Sequence, residues 1–400
     1  MLDFLRNGKL LSLMLGHFTV DSYVGVIPIL YPLLIGRFNL SLATVGLVSL
    51  AYGGMAAISQ PPFGLLADRF GTRFTGVALV WTAASFALIG FVNNFPLLLV
   101  LALASGLGSG AFHPLGALDV RAMLPSLRRS LGMSIYVTAG TVGVASGPLV
   151  GILLFSAFGV HGTGWLVLPG LATGGYLLWR LRGPAKVATA AVRTSGLAAQ
   201  VPVFALAAVI AVMMSRSWTV GAFQAFTPTW YEQQGYGPEF YGPLATTLVL
   251  ASAAGTVGCG SLADRFGRRA VILITLVLSI PAILLFCLFP GPWAFGSAIL
   301  IGFLAASTAP LMLLMAQQLM ASRAGLASGL VMGLGFVTGA IGVPINGAIA
   351  DSIGLQRSLL THVILVIVTI GIAWFLPREE EMDRFAAKQE RPLRTTAEQV

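Results

Sequence analysis

The feature that most constrains this chain is a series of long apolar runs separated by short polar segments. An apolar run of about 20 residues is long enough to cross a bilayer as a helix. Only 9% of the residues are charged, against about 25% in soluble domains, so a soluble fold could not hide this much apolar surface. We therefore predict an all-α membrane protein with twelve transmembrane helices, at 10–36, 42–66, 74–92, 96–119, 130–156, 162–181, 200–228, 241–263, 270–289, 293–318, 325–349 and 355–376.

The basic residues predict the orientation of these spans. If both termini are cytoplasmic, 20 Lys and Arg lie in inner segments, only Arg37 and Arg357 lie outside, and Arg216 falls within a span. This asymmetry follows the positive-inside rule, so we expect a multi-pass protein of the inner (cytoplasmic) membrane. The net charge of +9 comes from short clusters between spans, which argues against nucleic-acid binding. His17 and Asp21 interrupt the first run, which therefore reads as a retained span, not a signal peptide.

An internal repeat divides the chain. GLLADRFGTR at 64–73 recurs as GSLADRFGRR at 260–269 with eight of ten positions identical, and the same offset of 196 pairs prolines and glycines in three other regions. The repeat predicts two parallel six-span halves with a substrate site near the midplane between them. The predicted segments are a bundle at 1–181, a cytoplasmic linker at 182–199, a second bundle at 200–376 and a cytoplasmic tail at 377–400.

The repeated loop resembles the signature that the major facilitator superfamily carries between spans 2 and 3. The resemblance implies a cytoplasmic latch that makes and breaks as the two halves rock. A carboxylate there suits the positive end of a facing helix, and the first glycine of each loop would admit a close neighbour. A basic turn flanking the membrane is the alternative interpretation. The candidate latch residues are Gly64, Asp68, Arg69, Gly71, Arg73, Gly260, Asp264, Arg265, Gly267 and Arg269.

Span 5 carries a second motif, formed by Gly143, Gly147, Pro148 and Gly151. It resembles the span-5 signature of drug:proton antiporters, although Ile152 replaces the usual final glycine. Glycines four residues apart permit close helix contact. Plain helix packing is therefore as good an interpretation as a role in transport.

Ionisable groups within the predicted spans are candidates for function, because charges in hydrocarbon are costly and usually face a cavity or each other. His17 and Asp21 are four residues apart and share one helix face. We predict that Asp21 carries the coupling proton, with His17 as its partner and His113 on a facing helix. Arg216, which the repeat maps beside Asp21, is predicted to bind an anionic group. A static hydrogen-bonded pair and a satisfied buried histidine are the alternatives.

The remaining candidates are aromatic. In the superfamily that the loop resembles, spans 1, 4, 7 and 10 line the substrate cavity, which implies that aromatic residues on these spans contact substrate. The candidates taken with Arg216 as substrate-binding are Tyr23, Phe112, Trp218 and Phe223. Many aromatics on these spans must instead serve packing or the membrane interface.

Three patches carry a closer resemblance, to the fosmidomycin-resistance group: GHFTVDSYVGVIPILYPLL at 16–34, GLGSGAFHP at 106–114 and AQQLMASRAGLASGLVMGLGF at 316–336. Leu115 stands where that group usually has a carboxylate. The resemblance implies proton-driven export of a small organic molecule, a drug or a metabolite such as an anionic phosphonate. A proton-coupled importer of an organic anion or sugar is the alternative. We expect protons and membrane lipid as partners, a monomer, no cofactor, no metal and no enzymatic activity.

Overall fold

The computed structural model describes residues 7–123, 129–181, 202–306, 308–320, 324–382 and 384–385. Its helices in the first half of the chain are α1 Gly8–Phe38, α2 Leu42–Ser49, α3 Met55–Phe70, α4 Thr75–Leu88, α5 Phe95–Met123, α6 Arg129–Phe158 and α7 Val167–Arg180. Those in the second half are α8 Val203–Gln233, α9 Pro238–Phe266, α10 Arg268–Leu288, α11 Ala294–Ala306, α12 Ala309–Leu319, α13 Ala324–Ile353 and α14 Leu355–Ala373.

Short polar residues set the ends of the first helices. The Asn7 side chain accepts the backbone N–H groups of Lys9 and Leu10, at 3.1 and 3.2 Å, and so caps α1. Helix α1 ends at Asn39, whose φ of 50° lies in the left-handed region that favours asparagine and glycine. The Ser41 hydroxyl then accepts the Thr44 N–H at 3.1 Å and starts α2. The break between the first two spans is thus encoded locally.

Each of the twelve predicted spans is helical in the described residues, but four are not single α-helices. Span 3 ends in a 3-10 helix at Ile89–Phe91, and span 6 begins in the 3-10 helix Gly159–Leu166. Span 2 consists of α2, a π-helical turn at Leu50–Gly54 and α3. Span 10 consists of α11 and α12. Pro310 explains the break in span 10, because a proline cannot donate a hydrogen bond to the carbonyl four residues earlier. That carbonyl belongs to Ala306, where α11 ends.

The repeat is visible in side-chain contacts. Thr19 and Thr173 share a hydroxyl hydrogen bond of 3.3 Å between α1 and α7. Their equivalents at an offset of 196, Ser215 and Thr369, share a hydroxyl hydrogen bond between α8 and α14. The prediction of an all-α membrane protein made of two related six-helix bundles is confirmed.

The helices form two compact units, which we describe separately. The first unit contains Met1–Ala190 with Phe223–Leu250 and Val343–Leu355, and the second contains Ala191–Ala222, Ala251–Gly342 and Gln356–Val400. The predicted linker at 182–199 lies outside the described residues. The division of the chain at that linker therefore stays a prediction.

Candidate functional site

The first unit holds a cluster of three ionisable side chains at the facing surfaces of α1 and α5. His17 Nε2 lies 3.2 Å from Asp21 Oδ2, and His113 Nε2 lies 3.4 Å from Asp21 Oδ1. The two imidazole rings are 5.2 Å apart between centroids. The three residues predicted from the sequence to handle the proton thus converge on a single carboxylate. Their role in coupling stays a prediction.

Helix α6 positions His17 within this cluster. The carbonyl oxygen of Tyr136 accepts a hydrogen bond from His17 Nδ1 at 2.9 Å, and the Tyr136 ring stacks on the imidazole at 4.3 Å. One turn further along α6, a Cβ atom at Gly140 would overlap the Asp21 carboxylate and the His17 ring. Glycine at this position therefore makes room for the pair. Neither α6 residue was among the candidates predicted from the sequence, although Gly140 extends the glycine series of span 5 by one turn.

The hydrogen bond to Tyr136 fixes where protons lie on His17. A carbonyl oxygen only accepts, so His17 Nδ1 carries the hydrogen. In a neutral ring, Nε2 would then turn a lone pair towards a carboxylate oxygen 3.2 Å away, which is repulsive. The contact is favourable when the pair holds one additional proton, as an imidazolium facing a carboxylate or an imidazole facing a carboxylic acid. The geometry is that of a proton-loaded pair.

The glycine-rich segment of α5 places His113. Cβ atoms at Gly106 and Gly110 would overlap backbone atoms of span 2, and one at Gly108 would overlap span 3. Three glycines at alternate positions therefore let α5 pack closely against two neighbours at once. The Ser109 hydroxyl lies 3.5 Å from His113 Nε2 and adds a second polar contact to that ring.

Arg216 lies in the second unit and is 6% exposed. Its guanidinium donates to the carbonyl oxygens of Leu304 and Ala305, the latter at 3.1 Å, and to the Thr275 hydroxyl at 3.4 Å. The last carbonyls of a helix have no partner within it and favour a cation. Arg216 therefore caps the C-terminal end of α11, at the break in span 10. No sequence pattern predicted this contact.

The space beside Arg216 bears on its predicted role. The adjoining cavity, bordered by Ser215, Thr219 and Ser279, has a volume of about 10 Å³, which is room for about one water molecule. An organic anion does not fit there in this conformation. Binding of an anionic substrate group by Arg216 stays a prediction that requires the cavity to enlarge.

The predicted substrate-binding aromatics occupy different environments. Tyr23, Phe112 and Phe223 have no exposed surface, and the Tyr23 hydroxyl donates to Leu166 O at 2.8 Å. Trp218 differs, because its buried indole N–H has no hydrogen-bond partner in the described part of the chain. A buried donor without a partner is costly, so Trp218 is the aromatic candidate that a substrate acceptor would satisfy. Substrate contact by all four stays a prediction.

The two latch loops share one turn geometry. Gly71 and Gly267 have φ of 74° and 84°, and their N–H groups donate to Ala67 O and Ala263 O at 2.8 and 2.9 Å. Glycine is needed at both positions because other residues are strained there. The Asp264 side chain is exposed, whereas the side chains of Asp68 and Arg69 lie outside the described part of the structure.

The first glycines of the loops do not serve close packing here. A Cβ atom at Gly64 would make ordinary contact with Pro114, and one at Gly260 would meet no described atom within 4 Å. The expectation that both admit a close neighbour is therefore not met in this conformation. Of the loop arginines, Arg73 and Arg265 lie over the rings of Phe74 and Phe266, at 4.9 and 5.2 Å.

A contact that no sequence pattern predicted joins the second latch loop to the tail. The Glu379 carboxylate accepts the Arg268 N–H at 2.9 Å and pairs with the Arg268 guanidinium at 3.1 Å. The same guanidinium donates to Gln318 at 2.9 Å. The Glu379 carboxylate therefore caps the first turn of α10.

The span-5 glycines form the contact between α6 and α1. A Cβ atom at Gly143 would overlap the backbone of Phe18, and one at Gly147 would overlap the backbone of Gly25. At Gly151 a side chain would make only tight contact, and Pro148 lies within the helix. The geometry supports the packing interpretation of this motif. Because α1 and α6 also carry His17 and its acceptor, this close contact helps to hold the cluster together.

Comparisons with known proteins place this architecture in a family. The model of the Major Facilitator Superfamily matches residues 13–259 and 205–398. The chain is 30% identical to the uncharacterized MFS-type transporter YfnC of Bacillus subtilis (strain 168) over 383 residues, which is 92% of each chain. It is 26% identical to the fosmidomycin resistance protein of Escherichia coli (strain K12) over 386 residues, which is 94% of each.

A solved structure shows the same fold. A bacterial homologue of the human lysosomal transporter Spinster, in an inward-facing and occupied conformation, superposes with a TM-score of 0.77. The match covers 92% of this chain and 96% of that structure at 15% sequence identity. At this identity the likeness concerns the fold alone.

Proposed function

The chain belongs to the Major Facilitator Superfamily, and from this premise we propose that it exports a small organic molecule in exchange for protons by alternating access. Its family and structural neighbours are membrane transporters. The relative named for fosmidomycin resistance covers 94% of the chain, which favours export of a drug or metabolite. We further propose that it resides in the inner membrane with both termini in the cytoplasm, as its basic residues predict.

The observation that carries the coupling proposal is the geometry of His17 and Asp21. The two side chains approach to 3.2 Å while Nδ1 of His17 donates to a backbone carbonyl, so their contact favours one additional proton. His113 reaches the other oxygen of the same carboxylate at 3.4 Å and can pass a proton to it or receive one. A free imidazole titrates near pH 6.5, so such a group can gain and lose a proton under physiological conditions.

Exchange of protons for substrate follows if the protein cannot hold the additional proton on the His17–Asp21 pair and the substrate at the same time. We propose that the pair takes a proton when the site faces outwards and gives it up when the site faces inwards. Substrate then binds from the cytoplasm after the proton has left. Trp218, with its buried indole N–H lacking a described partner, is a substrate donor in this scheme, and Arg216 would bind an anionic group once its cavity opens.

The test is transport by Asp21→Asn in sealed proteoliposomes, with a substrate first chosen by counterflow from a compound panel that includes fosmidomycin. An asparagine cannot carry the proton, so downhill exchange should survive while accumulation driven by a pH gradient should fail. Asp119→Asn is the matched control, because the two oxygens of its carboxylate accept hydroxyl hydrogen bonds from Thr72 and Thr75, and the amide oxygen keeps one of these bonds. Accumulation by Asp21→Asn that a protonophore abolishes would place coupling elsewhere, with His113 next.

Two further arms complete this experiment. An antiporter accumulates substrate when the vesicle lumen is acidic, whereas a symporter does so when the lumen is alkaline, so the sign of the gradient separates export from the import alternative. Each measurement is made with and without a chelator, because two imidazoles and a carboxylate within 4.8 Å of one another also suit a divalent cation. Loss of transport on chelation alone would contradict the expectation that no metal is required.

A further inference from the structure

A groove in the second unit lies where α10 begins and α14 ends. It encloses about 400 Å³, and its polar border is formed by Arg269, Arg378 and Glu379, with Trp374 beside them. Its apolar floor includes Phe266 and Leu273. None of the proposed proton or substrate residues lines it. The groove is therefore separate from the transport site and needs its own explanation.

The charges in the groove favour an anion. The Glu379 carboxylate is already neutralised, since it accepts both the backbone N–H and the guanidinium of Arg268. Arg269 donates one hydrogen bond to Trp374 O at 2.6 Å, and a guanidinium has five N–H donors. The Arg378 side chain is exposed. Two guanidinium groups thus face the groove with donors available for phosphate oxygens.

The surroundings of the groove favour a lipid as the carrier of that phosphate. Trp374 is 64% exposed, and tryptophan is enriched at the level of lipid headgroups. Further along each helix from the groove, α10 exposes Ile274 and Val277, and α14 exposes Ile367 and Val368. An acyl chain can lie along these side chains while its headgroup occupies the basic end.

We propose that this groove binds an anionic phospholipid, with the phosphate held by Arg269 and Arg378 and the glycerol region against Trp374. Basic pockets between transmembrane helices are a known physical basis for binding acidic headgroups. The contact between Arg268 and Glu379 joins the second latch loop to the tail. A lipid in the groove would therefore contact the loop and the tail at the membrane surface. The bound lipid stabilises that junction in the lipid-facing wall of the second unit.

The test is native mass spectrometry of the purified protein with equal amounts of phosphatidylglycerol and phosphatidylcholine. The intact protein should retain phosphatidylglycerol preferentially. Each arginine near the surface contributes enough to shift affinity about fivefold, so Arg378→Gln should weaken that preference about fivefold and Arg269→Gln/Arg378→Gln about 30-fold. The matched control is Arg73→Gln, which removes the repeat equivalent of Arg269 from the first loop; Arg73 stacks on Phe74 and does not line the groove.

The outcomes separate the interpretations. Retention of the preference by the double variant, or a loss in Arg73→Gln equal to that in Arg378→Gln, would overturn the site. Displacement of the lipid by soluble glycerol phosphate at equal concentration would show that the groove recognises phosphate alone, which also contradicts the proposal. Because the Arg378 side chain is exposed, its single variant tests the site even if the double variant fails to fold.

Discussion

Asp351, at the end of α13, binds the start of α2, and we call this contact the clasp. We predict that the clasp holds the two helices together in this conformation. The carboxylate oxygens of Asp351 accept the N–H groups of Leu42 and Ala43 at 2.7 and 2.9 Å and so cap the first turn of α2. Below it, backbone atoms of Gly347 and Leu42 approach so closely that a Cβ at Gly347 would overlap them. The repeat places Phe155 at the equivalent position of the first half. This clasp is therefore not reproduced at its repeat-related position.

The cost of losing the clasp follows from its geometry. A carboxylate at a helix N-terminus contributes about 0.3–1 kcal/mol at an exposed site, and each hydrogen bond to a charged group adds about 1.5–3 kcal/mol where water is excluded. Because Asp351 is exposed, we take about 1 kcal/mol for Asp351→Ala and about 0.5 kcal/mol for Asp351→Asn, which keeps one acceptor. These values shift an opening equilibrium about fivefold and about twofold.

The assay is electron–electron distance measurement between spin labels at Leu40 and Ser352, in a background with the two buried cysteines replaced. Asp351→Ala should enlarge the population with a long distance by about fivefold where that population is small, and Asp351→Asn should give a smaller increase. Glu239→Gln is the control, because it removes an acidic residue from the equivalent first turn of α9. An unchanged distance distribution in Asp351→Ala would refute the clasp.

Three further substitutions test other parts of the account. Asp68→Asn should leave the melting temperature unchanged but impair transport at matched expression, and normal transport would remove the latch interpretation. Arg216→Lys should lose transport and lower the melting temperature, because an ammonium carries its donors on one nitrogen and does not reproduce the fork of Nε and Nη2 that reaches both carbonyls and the Thr275 hydroxyl. Each buried acceptor left unpaired costs about 1–3 kcal/mol, and an unchanged melting temperature would contradict the cap. Gly140→Ala should abolish substrate accumulation driven by a proton gradient, because the added methyl group displaces the His17–Asp21 pair. The control is Gly175→Ala, since no described atom lies within 4 Å of a Cβ at that position. An equal loss of accumulation in the control would show that the effect is not specific to the pair.

The sequence by itself determined the membrane architecture. Apolar runs of bilayer length, an asymmetric distribution of basic residues and one repeated loop are all local or periodic signals, and each reads directly from the order of residues. The four-residue spacing of His17 and Asp21 is likewise enough to place them on one helix face.

The tertiary structure decided which partners these residues meet. The acceptor for His17 is a backbone carbonyl of Tyr136, and a backbone carbonyl has no residue type that a sequence pattern could reveal. Arg216 donates to carbonyl oxygens at the end of α11 and not to a carboxylate in the described residues. These carbonyl oxygens accept it because Pro310 breaks span 10, and the last carbonyls of a helix have no partner within that helix. Glu379 caps α10 from 111 residues away. Contacts of this kind depend on how separate helices pack against each other. That packing cannot be read directly from the order of the residues.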